Sequence, residues 1–274
     1  MIPSTQTLVL DTLVRDALIL EKIDEHILKV TLNRPDAANA FNTQMARDII
    51  SVFESLAINA ENIRVVILTG AGEKAFCAGG DLKERNGMSD QQWQAQHLVY
   101  ERMTRAVIAC PIPIIGAING AAFGGGCEIA AVLDFIYVAQ TARFAQTEVC
   151  LGIIPGAGGT QTLARSVGEK RAKELILTGR IFNAQQALDW GLANAVYPAS
   201  ELHDAALAAA QTIADNAPIA VRQAKQSIHK GMQMSLGDAL AFEIEAYNRC
   251  VPTQDRREGV AAFNEKRKPI FQDQ

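Results

Sequence analysis

The chain has 274 residues, 49% of them apolar and 20% charged, with a formal net charge of −4. That length and balance provide for a sizeable core in one large domain, with or without an appendage. The mild acidity excludes the global basic field that draws proteins to nucleic acid or membrane surfaces, and the longest apolar runs, 112–118 and 65–68, are far too short to span a bilayer.

The first sixteen residues have no basic start and no continuous apolar run, and they carry Asp11 and Asp16. They read as a flexible leader over 1–16 rather than an export or transit signal. A β-hairpin is expected next, with strands Leu18–Ile23 and Ile27–Leu32 around Asp24 and Glu25. Asn33-Arg34-Pro35 stops the second strand. Thr43–Ile58 has helical spacing, with Met45, Ile49, Val52, Phe53 and Leu56 on one face. Val65–Thr69 is a short apolar strand running into Gly70-Ala71-Gly72. Ser89 is placed to cap a helix that ends near Ala109, and the strand Ile114–Ile118 follows Pro113. Cys127–Leu133 reads as helix and Phe135–Ala139 as strand. This alternation to about Val196 predicts an α/β core over 17–198 with mostly parallel pairing.

The pattern changes after Pro198. Ser200–Asn216, a segment opened by Pro218, Leu236–Cys250 and Thr253–Lys266 all read as helices. This helical region, 199–274, is roughly 75 residues, too few to hold a large core alone, so it is expected to pack on its own core and on a neighbouring subunit. The five cysteines, Cys77, Cys110, Cys127, Cys150 and Cys250, are odd in number and lack metal-finger spacing. They read as reduced thiols of a cytoplasmic protein.

Two glycine-bearing segments follow buried strands: Phe76-Cys77-Ala78-Gly79-Gly80-Asp81-Leu82-Lys83-Glu84 and Asn119-Gly120-Ala121-Ala122-Phe123-Gly124-Gly125-Gly126-Cys127-Glu128. Either can present backbone N–H groups without side-chain obstruction, and the second opens a helix, whose free amides carry partial positive charge. Two amides aimed at one point would stabilise an oxyanion, although such loops are also ordinary tight turns. No Lys-Ser or Lys-Thr closes either segment, so a phosphate loop is excluded. Gly156-Ala157-Gly158-Gly159-Thr160 lacks the dinucleotide-binding spacing. His26, His97, His203 and His229 stand singly, which leaves metal binding unsupported. Glu128 and Glu148 sit among small and apolar residues, where a carboxylate is costly to bury without a partner or a task. One reading is an ion pair with Arg143 or Arg165. The other is an acid–base pair of raised pKa.

At these residues the chain resembles the crotonase superfamily, and within it the enoyl-CoA hydratases. The similarity runs from about Ala17 to Phe271 and is dense at Phe76–Glu84, Ala122–Ala130, Leu151–Gln161 and Asp255–Pro269. The resemblance implies a crotonase (ClpP-like) fold, a repeated ββα superhelix with a C-terminal all-helical trimerisation region. It implies oxyanion amides at Gly80 and Gly125 and catalytic carboxylates at Glu128 and Glu148. Family members with other activities often lack one of the two glutamates. It further implies CoA or substrate contacts at Ala38, Ala78, Asp81, Leu82, Tyr247, Phe263 and Lys266, no metal and no cofactor beyond the CoA carried by the substrate, and assembly as a homotrimer or dimer of trimers. Gly80 departs from the alanine common there, which leaves the loop freer.

The activity implied is syn hydration of a 2-enoyl-CoA to a 3-hydroxyacyl-CoA, in fatty-acid β-oxidation or branched acyl-CoA catabolism. Asp81–Arg85 with Met88-Ser89, and Ala217–Ala220, resemble the methylglutaconyl-CoA hydratase branch, which includes RNA-binding members. A double-bond isomerase of the same fold would need a single glutamate. An RNA-binding role finds no arginine–lysine stripe with interleaved aromatics.

Overall fold

The computed structural model describes residues 17–274 and the backbone of Thr12–Arg15. In chain order the strands are β1 (Thr12–Arg15), β2 (Leu18–Lys22), β3 (Ile27–Leu32), β4 (Val65–Gly70), β5 (Ala75–Cys77), β6 (Ile114–Ile118), β7 (Ala121–Phe123), β8 (Phe135–Ala139), β9 (Arg143–Ala145), β10 (Phe182–Asn183) and β11 (Ala195–Tyr197). The helices are α1 (Thr43–Ile58), α2 (Leu82–Arg85), α3 (Asp90–Ala109), α4 (Gly125–Val132), α5 (Gly159–Val167), α6 (Glu169–Thr178), α7 (Ala184–Asp189), α8 (Leu202–Ala214), α9 (Pro218–Gly231), α10 (Leu236–Cys250) and α11 (Gln254–Glu265).

The hairpin, β4, β6, β8 and the helices α1, α3 and α8 to α11 form where periodicity and caps place them. Asn42 Oδ1 accepts the N–H of Met45 at the start of α1, and Ser89 makes a reciprocal capping box with Gln92 at the start of α3. β4 and β6 are buried at every residue, as central parallel strands are. The leader expected over 1–16 lies outside the described residues except at 12–15, where β1 pairs antiparallel with β2 in the register Thr12 to Glu21 and Arg15 to Leu18.

Seven strands form one sheet in the order β1-β2-β3-β4-β6-β8-β11, parallel from β3 onward. A second sheet, β10-β9-β7-β5, has four strands of two or three residues each. The chain therefore repeats one unit. β4, β6 and β8 each contribute to the large sheet, the next strand (β5, β7 or β9) enters the small one, and a helical segment returns. The sequence gives no sign of the small sheet, because strands this short show no alternation.

The main core lies between the large sheet and α1, α3, α4, α5 and α6, around Phe53, Phe76, Met103, Leu163 and Phe144. A smaller core covers the opposite face, where Leu202, Ala206, Ala210 and Ala214 of α8 pack on Ile27, Val65, Ile67, Ile115 and Ala117. The first helix after Pro198 is thus a layer on the sheet. Beyond it α9 and α10 pack on each other, and α9 to α11 leave Ile228, Met232, Leu236, Leu240, Ile244, Tyr247, Val260 and Phe263 exposed.

Candidate active site

The small sheet gathers three loops. β5 pairs parallel with β7, and β7 with β9, so their carboxyl ends point the same way and their following segments emerge side by side. These segments are Ala78-Gly79-Gly80, Gly124-Gly125-Gly126 and Gln146-Thr147-Glu148. The crowding is backbone against backbone. A Cβ on Gly126 would stand 2.0 Å from the Cys77 carbonyl oxygen, and one on Gly79 would stand 3.0 Å from the Gly125 nitrogen. Glycine is required at both positions, and Gly79 also has φ of +92°.

A fourth segment completes the wall. Ala38 and Asn39 hold φ of 51° and 54°. Ala78 N–H donates to the Ala38 carbonyl (3.0 Å), Phe41 N–H to the Gly79 carbonyl (2.8 Å) and Asp81 N–H to the Phe41 carbonyl (3.0 Å). Two buried asparagines brace the corner between β4 and β5. Asn39 Nδ2 donates to the carbonyls of Ala71 and Ala75, and Asn119 donates to those of Gly70 and Gly72 while accepting the Gly70 N–H. Among the described residues the N–H groups of Gly80 and Gly125 donate to no protein acceptor. Gly125 is the first residue of α4, so its amide is one of those the helix cannot satisfy.

A cavity of about 880 Å³ opens at these loops. Ala78, Gly80, Leu82, Gly125, Glu128 and Glu148 line it, together with Phe41, Trp93, His97, Leu98 and Tyr100, and with Leu151, Ile153 and Ile154. Its size and apolar wall with few polar groups suit a small organic ligand.

Glu128 projects from the first turn of α4 and is 3% exposed. Its Oε1 accepts the N–H groups of Ala157 at 2.8 Å and Gly159 at 2.7 Å, where the chain enters α5. Its Oε2 accepts from no donor among the described residues and lies 3.7 Å from where a Cβ on Gly125 would stand. The ion pair with Arg143 or Arg165 does not form. Arg165 bonds Gln161, Arg143 lies exposed on β9, and backbone amides hold Glu128 instead. Burial pushes the Glu128 carboxyl up to about 7. The Gly159 amide opposes that rise, the charge of Glu148 adds to it, and the Ala157 amide opposes it again.

Glu148 begins a short 3-10 turn and is 8% exposed. Its Oε1 lies 3.1 Å from the Cβ position of Gly124, and its Oε2 is buried without a partner. Burial raises its pKa also. Two buried carboxylates thus flank Gly124-Gly125, each with a free oxygen.

The other expected contacts divide. Asp81 is committed to structure: its carboxylate pairs with Arg34 at 2.8 Å and caps α2 through Lys83 and Glu84 N–H. Ala38 stands behind the loop as the acceptor for Ala78. Tyr247 on α10, Phe263 on α11 and Lys266 at the end of α11 are outside the cavity of this chain, and Tyr247 and Phe263 are 66% and 84% exposed. The amides of Ala157 and Gly159 were not readable beforehand, because a backbone donor leaves no side-chain signature. Among the described residues no group of three or more His, Cys, Asp or Glu could hold a metal ion, and no helix is long and apolar enough to cross a membrane.

These features set two unsatisfied backbone amides and two buried carboxylates on one cavity. The enoyl-CoA hydratase/isomerase family model matches residues 22–274. A putative enoyl-CoA hydratase/isomerase, YngF, of Bacillus subtilis is 44% identical over 256 residues, covering 93% of this chain and 98% of that protein. The short-chain-enoyl-CoA hydratase of Clostridium acetobutylicum is 44% identical over 250 residues, covering 91% and 95%. The crystal structure of an enoyl-CoA hydratase from Bacillus anthracis superimposes with a TM-score of 0.92 at 44% identity, covering 94% of this chain and 100% of that one. The fold is the crotonase fold. The chain belongs to the enoyl-CoA hydratase/isomerase family.

Proposed function

We propose that Gly80 and Gly125 hold the thioester oxygen of a 2-enoyl-CoA while Glu128 and Glu148 add water across C2=C3. The enzyme is an enoyl-CoA hydratase, a hydro-lyase. The two N–H groups polarise the conjugated system and stabilise the enolate charge that grows as water attacks C3. Glu128, through Oε2, takes a proton from the water as its oxygen bonds to C3. Glu148 gives its proton to C2, where the π pair becomes the new C–H bond. Exchange with solvent then resets the two carboxyls, and the sequence is redox-neutral. The observation carrying this reading is the pair of buried carboxylates flanking Gly124-Gly125, each with an unused oxygen, where an isomerase needs one.

The exposed apolar residues of α9 to α11 support a homotrimer or dimer of trimers. In such an assembly Tyr247, Phe263 and Lys266 would reach a CoA only across a subunit boundary. The five unpaired cysteines support a cytoplasmic location.

Hydration of crotonyl-CoA, followed as loss of ultraviolet absorbance, tests the roles. Glu128→Gln and Glu148→Gln should each lower kcat about 100- to 10,000-fold while a saturated acyl-CoA still binds. Full activity in both variants would overturn the assignment.

A further inference from the structure

The two backbone amides that aim Glu128 lie in the segment that leads into α5, so the carboxylate is placed only as well as that segment is held. Ile154, Pro155 and Gly156, which run into Ala157, make no hydrogen bond among the described residues. Packing supports them instead, and α3 supplies the surface. A Cβ on Gly156 would stand 2.3 Å from His97 Cε1 and 2.6 Å from its Nε2, and its three nearest atoms all belong to that ring. Two helical turns on, α3 meets the segment again. The Thr104 methyl lies 3.9 Å from where a Cβ on Gly158 would stand. The two contacts bracket Ala157, whose N–H donates to Glu128.

The base under His97 is fastened on both sides. Gln96 is 5% exposed, its Nε2 donates to Thr43 Oγ1 and Glu84 Oε2, and its Oε1 accepts from Arg85 Nε, each at 2.8 Å. Tyr100, one turn further, is buried and donates to the Phe41 carbonyl at 3.2 Å. The His97 ring is half-buried on the cavity wall and makes no hydrogen bond among the described residues, so it acts by shape. It bonds neither Glu128 nor Glu148, and its influence on them passes through the backbone of the segment. A chain held by contact alone keeps its place only while the surface against it is filled.

We propose that His97 is a positioning residue for the Glu128 carboxylate: its ring seats Gly156 and so holds the Ala157 and Gly159 amides against Glu128 Oε1. The effect on rate rests on the hydratase reading, whereas the seating of the segment does not.

His97→Ala should lower kcat for crotonyl-CoA by roughly 10- to 100-fold, with KM changed by less than about threefold. His97→Phe, which keeps a ring against Gly156 and cannot titrate, should retain most of the wild-type rate. In a Glu128→Gln background, His97→Ala should cost less than about twofold, because the group it positions is gone. Hydrogen exchange gives a readout without chemistry. The Ala157 and Gly159 amides should exchange about tenfold or more faster in His97→Ala, while those of β4 keep their wild-type rates. An equal loss of kcat from His97→Ala with and without Glu128, an equal loss from His97→Phe, or unchanged exchange at Ala157 and Gly159 would overturn the proposal. If the wild type hydrates no enoyl-CoA, the hydratase reading falls, and the exchange comparison still decides how the segment is held.

Discussion

Glu128 Oε1 accepts the N–H of Gly159 at 2.7 Å, thirty-one residues further along the chain. This contact aims a helix-borne carboxylate from outside its own helix. A Cβ on Gly159 would stand 2.8 Å from Glu128 Cγ, 3.0 Å from its Oε1 and 2.8 Å from Gln146 Nε2. Gly159→Ala should therefore displace the carboxylate while the glycine loops stay in place. Hydration should fall about 100-fold, mainly in kcat, with a much smaller change in acyl-CoA affinity. Steady-state kinetics beside equilibrium binding measures the split.

The raised pKa of Glu128 gives two pH dependences of opposite sense. As the proposed base it works ionised, so kcat/KM should rise with pH through about 7. Stability runs the other way. The folded carboxyl keeps its proton up to about 7 whereas the unfolded one loses it near 4.5, so the folded state binds more protons between those values and stability declines as pH rises across them. Urea midpoints at pH 5 and pH 8 measure the decline. Glu128→Gln, which cannot titrate, should flatten it.

Two glycines of the proposed oxyanion loops should respond oppositely to alanine. A Cβ on Gly80 would meet Tyr100, Phe41 and Arg85 at 3.5 to 3.9 Å, ordinary contact distances, and no positive φ forbids it. Gly80→Ala should stabilise the fold by about 0.4–1 kcal/mol through loss of unfolded-state freedom. The freedom expected of glycine at this position is already restrained by the bridge between Phe41 and Gly80. Gly126→Ala places its Cβ 2.0 Å from the Cys77 carbonyl and should cost about 3 kcal/mol or more, because β5 and α4 must separate. Thermal unfolding of the two variants gives the comparison.

Much of the frame was legible. α1 and α10 begin and end where apolar spacing places them, since that signal extends over several turns. The glycine loops and both glutamates were legible from composition and resemblance. The small sheet was not, for β5, β7, β9 and β10 are too short to show an alternation, yet it brings the loops together. The partner of Glu128 was sought among arginines because side chains are what a sequence displays.

Asn39 and Asn119 tie the corner between β4 and β5 through six hydrogen bonds to backbone groups of Gly70, Ala71, Gly72 and Ala75. The loss of disorder that the proposed oxyanion loop requires is therefore settled when the chain folds. On the proposed reading, an arriving thioester meets donors already in position, and its binding energy remains available for the reaction rather than for assembling the site.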